Sequence, residues 1–360
     1  MPPGGLFVPA MPIRTDILII GAGPVGLFTV FEAGLLKLRC HLVDALPQVG
    51  GQLTEIYPKK PIYDIPGYPS VLAGDLIANL EEQIAPFAPT YSLGQRAETL
   101  ERISGEELGR DSGVDGFRVA TSRGEVIEAP VVAIAGGLGS FEPRKPPLAG
   151  IEDFEDRGVD YIVRDPEAYR GKRILIAGGG DSALDWTIFL ADVAAEVTLI
   201  HRRTSFRGAL DSVDKVRELA EAGRIRLITE AQAVGLEGDA AEGGLTGVRV
   251  RSKADGEQLI EVDNFVPLFG LSPKLGPIAD WGLNIDRNAI EVDTRDYSTN
   301  VEGVYAIGDI NTYPGKLKLI LCGFHEGTLM VQSAFKRIYP EQKLSFKYTT
   351  VQGAPVGFAA

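Results

Sequence analysis

The chain has 360 residues, enough for two domains with full hydrophobic cores. Hydrophobic residues make up 44% and charged residues 24%, which is typical of a soluble globular protein, and no apolar run approaches the roughly 18 residues of a membrane span. The formal charge of −13 argues against nucleic acid and anionic membrane surfaces as main partners.

Cysteine and histidine are too sparse for a disulfide framework or a zinc site. The two cysteines, Cys40 and Cys322, are far apart in sequence, which is compatible with a reducing cytoplasm, so we predict a cytoplasmic protein. The three histidines, His41, His201 and His325, show no metal-ligand spacing, and we predict no metal site.

The first twelve residues, MPPGGLFVPAMP, are rich in proline and glycine and contain no lysine or arginine. This composition fits neither a secretory signal nor a transit peptide. We predict a disordered leader over residues 1–12.

The first motif is a glycine-rich turn between an apolar strand and a helix, in TDILIIGAGPVGLFTVFEAG. Gly21, Gly23 and Gly26 have the GxGxxG spacing that permits a tight turn, close approach to a pyrophosphate and close helix packing. The next strand ends in Asp44, 23 residues after Gly21. A carboxylate there can accept hydrogen bonds from a ribose 2′-hydroxyl, so the segment predicts a site for a dinucleotide without a 2′-phosphate.

A second copy of this motif occurs in the middle of the chain, in GKRILIAGGGDSALDW. Gly178, Gly180 and Ala183 form the GxGxxA variant after another apolar strand. The same turn contains Asp181 and Ser182, and we count all five residues as predicted contacts of a second dinucleotide.

The strand after this second turn ends in positive rather than negative charge. His201 lies 23 residues after Gly178, and Arg202, Arg203 and Arg207 follow it in VTLIHRRTSFRG. A carboxylate here would repel a 2′-phosphate, whereas arginines pair with one through charge-assisted, often bidentate hydrogen bonds. We therefore predict NADP(H) at the second turn, with His201 adding to the positive charge if it is protonated.

Three further segments favour FAD at the first turn. QVGGQL contains Gly51, which allows close backbone approach, and Gln52, whose amide could bond to a heteroaromatic ring. TNVEGVYAIGDI is an apolar strand that ends at Asp309. A helix is predicted over 325–338, and its positive N-terminal end would favour an anionic reduced flavin.

Together these motifs resemble those of the two-domain pyridine nucleotide and flavin oxidoreductases of the thioredoxin reductase type. GAGPVG, GGQL, AIAGG, GGGDSA, HRRTSFRG and VYAIGD carry the resemblance, which covers nearly the whole chain. It implies an α/β fold of two Rossmann-like dinucleotide-binding domains, with the NADP domain inserted into a discontinuous FAD domain. The implied boundaries are 13–140 and 271–345 for the FAD domain, 141–270 for the NADP domain, and 346–360 for a C-terminal extension.

The redox dithiol of that family is missing. Thioredoxin reductases carry a CxxC where this chain has VDYIVRDPEAYRGK, and glutathione reductase relatives carry a dithiol where it has GGQLTEIYP. Because a dithiol needs two sulfurs a few residues apart, we do not expect disulfide reduction. The FxGxxxHxxxW motif of Baeyer-Villiger-type flavin monooxygenases is also absent, since no histidine lies between His41 and His201.

The chain most resembles the thioredoxin-reductase-like ferredoxin (flavodoxin) NADP reductases, through IYPKKPIYDIPGYP and SFKYTTVQG. In these proteins an aromatic residue covers each face of the flavin. The resemblance assigns one face to Tyr57 and the other to Tyr348, which would come from the partner subunit of a homodimer. The implied FAD contacts are Asp44, Gln52, Tyr57, Ala97, Phe141, Asp309 and Thr350.

The implied reaction is hydride transfer from NADPH to flavin N5, followed by single-electron transfer to ferredoxin or flavodoxin. It requires no general base or nucleophile. His325 has two open roles, tuning the flavin or capping and packing. A basic docking patch for the acidic partner is hypothesised from eight positive charges: Lys59, Lys60, Lys316, Lys318, Lys336, Arg337, Lys343 and Lys347.

Two alternatives remain open from the sequence. An NADPH oxidase or quinone reductase would need no additional motif, because small acceptors require no dedicated site. A non-catalytic flavin or nucleotide sensor would retain both glycine turns.

Overall fold

The computed structural model describes residues 11–110, 113–139, 142–239, 243–272 and 274–344. The predicted leader lies outside these ranges except for residues 11 and 12, and the predicted C-terminal extension lies entirely outside them. No helix in the described ranges is long and apolar enough to cross a membrane.

The described part of the chain alternates short strands with six α-helices. The strands are β1 Ile13–Arg14, β2 Ile17–Ile20, β3 Cys40–Asp44, β4 Pro61–Ile62, β5 Val71–Leu72, β6 Thr90–Leu93, β7 Ala97–Ile103, β8 Gly116–Thr121, β9 Val126–Ala129, β10 Val131–Ile134, β11 Glu142–Pro143, β12 Arg173–Ala177, β13 Glu196–His201, β14 Arg226–Thr229, β15 Ala231–Asp239, β16 Gly244–Ser252, β17 Gly256–Glu261, β18 Asn264–Pro267, β19 Leu271–Ser272, β20 Ile285–Asp286, β21 Ala289–Glu291, β22 Val304–Ala306 and β23 Asn311–Thr312. The helices are α1 Pro24–Leu35, α2 Gln52–Glu55, α3 Ala73–Ile84, α4 Asp181–Leu190, α5 Leu210–Glu221 and α6 Ile320–Ile338.

The chain divides into two compact units, and each contains a parallel sheet. The first unit is formed by 1–140 together with 273–360, and the second by 141–272. Both contain the strand–turn–helix–strand arrangement that the glycine motifs predict, so the predicted α/β fold class is confirmed.

The first unit is built on five parallel strands in the order β22-β10-β2-β3-β6. Strand β2 is buried along its whole length because both faces of this sheet are covered. Successive side chains of a strand point to opposite faces. Accordingly Ile17 and Ile19 pack in the core formed with α1, α3 and α6, whereas Leu18 and Ile20 pack against the antiparallel strands β7 to β9.

The second unit has the parallel sheet β14-β13-β12-β18 and the antiparallel sheet β15-β16-β17. One core joins the two sheets: Leu175 and Ile200 from the parallel sheet pack with Val248 and Ile260 from the antiparallel one. Strand β13 lies beside β12 and ends at His201, so the ends of these two strands meet at the second glycine turn.

Helix α6 begins at Ile320, five residues before the helix predicted at 325–338. Its two early glycines allow close packing on α1, where a Cβ on Gly323 would lie 2.3 Å from Val25 Cγ2 and one on Gly327 would lie 2.6 Å from Thr29 Oγ1. Glycine weakens an isolated helix, but here it permits the tertiary contact that stabilises the first two turns.

Candidate functional site

The first glycine turn has the geometry of a dinucleotide cradle. Gly21 has a φ of 113°, and a Cβ there would lie 2.3 Å from the Ala135 carbonyl oxygen. A Cβ on Gly26 would lie 2.1 Å from the carbonyl oxygen of Gly21, whereas one on Gly23 would meet nothing within 4 Å in the described part of the chain. The fold therefore fixes the first and third glycines, and the second borders open space of the kind that a pyrophosphate requires.

Helix α1 begins at this open position. Gly23 is its N-cap, no side chain caps the helix, and its first turn contains no acidic residue. The N–H groups of the first turn and the positive end of the helix dipole are therefore available to an anion.

Asp44 fixes the end of β3 to the same turn. Its Oδ2 accepts a hydrogen bond from the Ala22 N–H at 2.7 Å, and its Oδ1 accepts one from Leu46 at 2.8 Å. Burial raises the pKa of Asp44, and the two backbone hydrogen bonds oppose this shift. The backbone N–H of Gln95 donates to the Asp44 carbonyl at 3.0 Å. This bond holds the segment that leads to the buried Ala97 beside the end of β3. The carboxylate keeps acceptor capacity for a ribose hydroxyl.

Gly51, in the segment QVGGQL, packs on this cradle. A Cβ on Gly51 would lie 3.4 Å from the Cα of Gly23. Gln52, the first residue of α2, places its Nε2 3.7 Å from where a Cβ of Gly137 would lie, just after β10. The Gln52 side chain has no hydrogen bond to any residue that the structure describes, so its amide is available to a ligand.

Tyr57 and Asp309 meet at this site from distant parts of the chain. The Lys60 ammonium lies 5.7 Å from the centroid of the Tyr57 ring. Burial raises the pKa of Tyr57 to about 12, and the charge of Asp309 contributes to the shift. Burial likewise raises the pKa of Asp309, whereas the nearby Lys318 and Lys316 lower it. Tyr57 packs against the core that α1 helps to form, and the charge of Asp309 acts on it there.

Glu326 also supports this site, and sequence reasoning missed it. It lies in the second turn of α6 and has an exposed fraction of 0%. Its Oε2 accepts hydrogen bonds from Gly308 N–H at 2.6 Å and Asn311 Nδ2 at 2.8 Å, and its Oε1 accepts from the Tyr313 hydroxyl at 2.9 Å and Lys316 Nζ at 2.5 Å. The turn that contains Asp309 is therefore held by a buried ion pair.

The second glycine turn repeats the geometry of the first. A Cβ on Gly178 would lie 2.6 Å from the Cβ of Ala183, whereas one on Gly180 would have no described neighbour within 4 Å. Helix α4 begins directly after Gly180 and has no side-chain cap. This turn too is closed at its outer positions and open at its middle one.

Asp181 and Ser182 begin α4, and both are exposed. Asp181 Oδ1 accepts a hydrogen bond from Ala209 N–H at 2.8 Å. The carboxylate thus joins the loop after β13 to the start of the helix, a supporting role that the sequence did not predict for it.

His201 lies beneath the glycine turn rather than in the charged loop. Its exposed fraction is 6%, and a Cβ on Gly179 would lie 2.1 Å from its ring. Its Nε2 is 3.1 Å from the Ser205 carbonyl oxygen, and its ring stacks on Phe206 with centroids 4.9 Å apart. Burial lowers the pKa of His201, and the charge of Arg202 lowers it further. The hydrogen bond with the Ser205 carbonyl opposes this shift, but the net direction disfavours the charged imidazolium, so the positive charge of this region comes from the arginines.

The three arginines after β13 lie on the surface beside the open glycine. Arg202, Arg203 and Arg207 are all exposed, and none of their guanidinium groups has a hydrogen bond or ion pair with a residue in the described ranges. The backbone N–H of Arg207 donates to the Gly179 carbonyl at 2.8 Å, which ties the loop to the turn. Arginines without an acidic partner, in a loop tied to the turn that precedes a helix, are groups of the kind that can pair with a phosphate.

The hypothesised basic patch is wrong as one continuous surface. The side chain of Lys316 is only 6% exposed, and its charge is neutralised by Glu326. Arg337 is paired with Glu302 at 2.5 Å. Lys336 is exposed, but it lies 16 residues along α6 from Ile320, which is about 24 Å of helix rise.

Phe141, Tyr348 and Thr350, together with Lys347, lie outside the described residues. His325 is exposed on α6, and its side chain has no hydrogen bond to another described residue.

The two cysteines do not form a redox pair. Cys40 is buried in β3, where burial raises the pKa of its thiol. Cys322 lies on α6 and is partly exposed. Both are free, and neither has a second cysteine within a few residues.

Comparison with known proteins gives a consistent assignment. The profile of the pyridine nucleotide-disulphide oxidoreductase family matches residues 15–327. The chain is 65% identical over 344 residues to ferredoxin–NADP reductase 2 of Christiangramia forsetii, covering 95% of this chain and 94% of that one. It is 60% identical to a ferredoxin–NADP reductase of Flavobacterium johnsoniae, again covering 95% and 94%.

Among solved structures, the thioredoxin reductase of T. acidophilum superposes with a TM-score of 0.74 at 25% identity, covering 90% of this chain and 98% of that one. The two glycine turns occur in the order found in such proteins, and the dithiol does not. The chain therefore belongs to the pyridine nucleotide-disulphide oxidoreductase family and, within it, to the thioredoxin-reductase-like ferredoxin–NADP reductases.

Proposed function

We propose that this protein is a ferredoxin–NADP reductase that uses FAD to pass electrons between NADPH and ferredoxin or flavodoxin. One observation carries the proposal: the strands that follow two similar glycine turns lead to opposite charges. The strand after the first turn ends in Asp44, and the strand after the second is followed by three arginines without a described partner. Because the chain has no dithiol to relay electrons, they would pass from the flavin directly to an external acceptor.

The residues around the first turn fit FAD. The open position at Gly23 and the uncapped start of α1 suit the pyrophosphate, and Asp44 suits the ribose. Gln52 and Tyr57 would then contact the ring system, with Tyr57 excluding water from one face. The chemistry that bound FAD supplies is the exchange between a two-electron hydride and the single electrons of the acceptor.

The residues around the second turn would bind NADPH and select it over NADH. The backbone of the arginine loop is held by two hydrogen bonds, from Arg207 N–H to the Gly179 carbonyl and from Ala209 N–H to Asp181, so the loop backbone is positioned before the ligand arrives. This preorganisation reduces the entropy lost on binding the 2′-phosphate. No residue is needed as a general base.

The partner surface is proposed on the rim of the first site. Lys59 is exposed two residues after Tyr57, and Lys318 is exposed and close enough to Asp309 to lower its pKa. The two leucines on either side of Lys318, Leu317 and Leu319, are 60% and 37% exposed. Basic and apolar groups together suit an acidic electron carrier.

Reversing two of these charges tests the surface. We expect Lys59→Glu with Lys318→Glu to raise the KM for ferredoxin about ten-fold at low salt, with a smaller effect at high salt. Lys60 is left intact because its ammonium lies over Tyr57. The matched control is Lys336→Glu with Lys343→Glu, which makes the same charge change far along α6 and after it; equal effects of both pairs would show that net charge rather than this rim matters.

Two proposals rest on the resemblance and on cysteine usage. We propose a homodimer in which Tyr348 covers the flavin of the partner, and a cytoplasmic location because both cysteines are free. Light scattering on the purified protein tests the first.

The function itself is tested by a steady-state anaerobic assay with NADPH and a panel of acceptors. We expect the highest kcat/KM with ferredoxin or flavodoxin. A higher value with a quinone would move the assignment to a small-molecule reductase.

A further inference from the structure

We propose that Glu326, paired with Lys316, is a positioning residue for FAD: it acts through the turn that contains Asp309. The inference rests on the proposed placement of FAD at Asp309. Neither Glu326 nor Lys316 is among the residues that the sequence motifs assign to a cofactor.

The burial of this pair requires an explanation. Glu326 is 0% exposed and Lys316 6% exposed, and burying two charges costs free energy unless their hydrogen bonds are satisfied. Both oxygens of Glu326 are fully used, since each accepts two hydrogen bonds. A buried pair is commonly no more stabilising than apolar residues of the same volume, so its use here points to a task other than stability.

The hydrogen bonds surround Asp309 on both sides. Before it, Gly308 gives its N–H to Glu326 at 2.6 Å, and Gly308 has a φ of 75° that favours glycine. After it, Asn311 Nδ2 donates both to Glu326 at 2.8 Å and to the Ala306 carbonyl at 2.9 Å. Glu326 therefore closes residues 306–311 into one fixed loop.

The same loop is held against the first glycine cradle. A Cβ on Gly308 would lie 3.3 Å from Val25 Cγ2, in the first turn of α1. The turn is thus confined between α1 and Glu326, and a shift of the carboxylate would move Asp309 relative to the start of α1. Lys316 neutralises Glu326, since its ammonium lies 2.5 Å from Oε1. The loop therefore does not border an uncompensated negative charge.

Three variants separate the hydrogen bond to Gly308 from the charge. Lys316→Met with Glu326→Gln removes both charges, yet the glutamine oxygen can still accept from Gly308 and Asn311 while its amide donates to the Tyr313 oxygen. Lys316→Met with Glu326→Met removes charges and hydrogen bonds together. Glu326→Asp keeps the ion pair but is one carbon shorter, so it cannot reach both ends of the loop.

The measurement is the FAD dissociation constant of each apoprotein, by quenching of flavin fluorescence, with the visible spectrum of the bound flavin recorded. We expect the Met/Gln variant to stay within about three-fold of the wild type and the Met/Met and Glu326→Asp variants to bind FAD roughly ten-fold more weakly. Thermal unfolding of each apoprotein is measured alongside, and Glu326→Asp keeps the test valid if the Met/Met variant does not fold.

Glu128→Gln is the matched control for a buried carboxylate. Glu128 is 2% exposed and pairs with Arg14 and Arg118, so its substitution lowers stability without touching the loop at Asp309. Its FAD affinity should equal that of the wild type.

The outcomes are distinct. Wild-type FAD affinity in Glu326→Asp overturns the inference, and so does equal weakening in the Met/Gln and Met/Met variants, because charge rather than the hydrogen bond to Gly308 would then matter. A wild-type apoprotein that binds no FAD overturns the proposed function instead.

Discussion

Replacing Gly23 with alanine is expected to weaken FAD binding by roughly 10- to 100-fold without unfolding the protein, since one added methyl group in a filled site costs about 1–3 kcal/mol. Gly23 has φ −74° and ψ −178°, which alanine adopts without strain, and its Cβ would have no described neighbour within 4 Å. The methyl group would therefore occupy only the space assigned to the pyrophosphate. Titration of FAD into the apoprotein measures the loss, and the free energy of apoprotein unfolding should change by less than about 1 kcal/mol.

Two other glycines are controls for this prediction. Gly180→Ala adds the same methyl group at the second turn, so it should raise the KM for NADPH and leave FAD affinity unchanged. Gly26→Ala would place a Cβ 2.1 Å from the Gly21 carbonyl oxygen and should destabilise the apoprotein itself. Wild-type FAD affinity in Gly23→Ala would show that the pyrophosphate binds elsewhere.

Removing two arginines is expected to abolish most of the preference for NADPH. With Arg202→Ala and Arg203→Ala, kcat/KM for NADPH should fall by roughly 100-fold, because two charge-assisted hydrogen bonds at about 1.5 kcal/mol each are lost. The value of kcat/KM for NADH should change by less than about three-fold, because NADH has no 2′-phosphate for these arginines to bind. Steady-state rates with both nucleotides at one ionic strength measure the ratio.

The control for this pair is Arg251→Ala with Lys253→Ala. These residues carry the same charge on β16 and just after it in the same unit, and they pair with Glu257 and Glu230 rather than facing the glycine turn. An unchanged preference in the Arg202 and Arg203 variant, or an equal loss in the control, would contradict the assignment of the 2′-phosphate site.

Local motifs made the two turns predictable. The spacing from Gly21 to Asp44 recurs from Gly178 to His201, and in the structure each of these strands ends at the predicted residue. Such signals are readable because the turn, the strand and the helix are contiguous and their glycines have steric causes. Which dinucleotide contacts each residue makes remains a prediction.

Side-chain direction was not predictable at the same positions. His201 follows the register of Asp44, yet its ring packs under Gly179 and stacks on Phe206. Lys316 reads as one of several surface lysines but is buried against Glu326. In both cases the partner comes from a loop or helix that sequence periodicity does not place.

Glu326 left a signal that could have been used. It is four residues before Met330 and eight before Ala334, on the buried face of α6. A carboxylate at an apolar helical position needs a partner, because an unpaired buried charge is too costly. The sequence therefore indicates that something pairs with Glu326, although only the fold identifies Lys316.

Anaerobic stopped-flow absorbance tests the central claim most directly. The FAD-loaded protein is mixed first with NADPH and then with oxidised ferredoxin. We expect NADPH to bleach the flavin absorbance and ferredoxin to restore it rapidly, with NADH bleaching it far more slowly. Bleaching that ferredoxin does not reverse, or a protein that takes up no flavin, would contradict the assignment as a ferredoxin–NADP reductase.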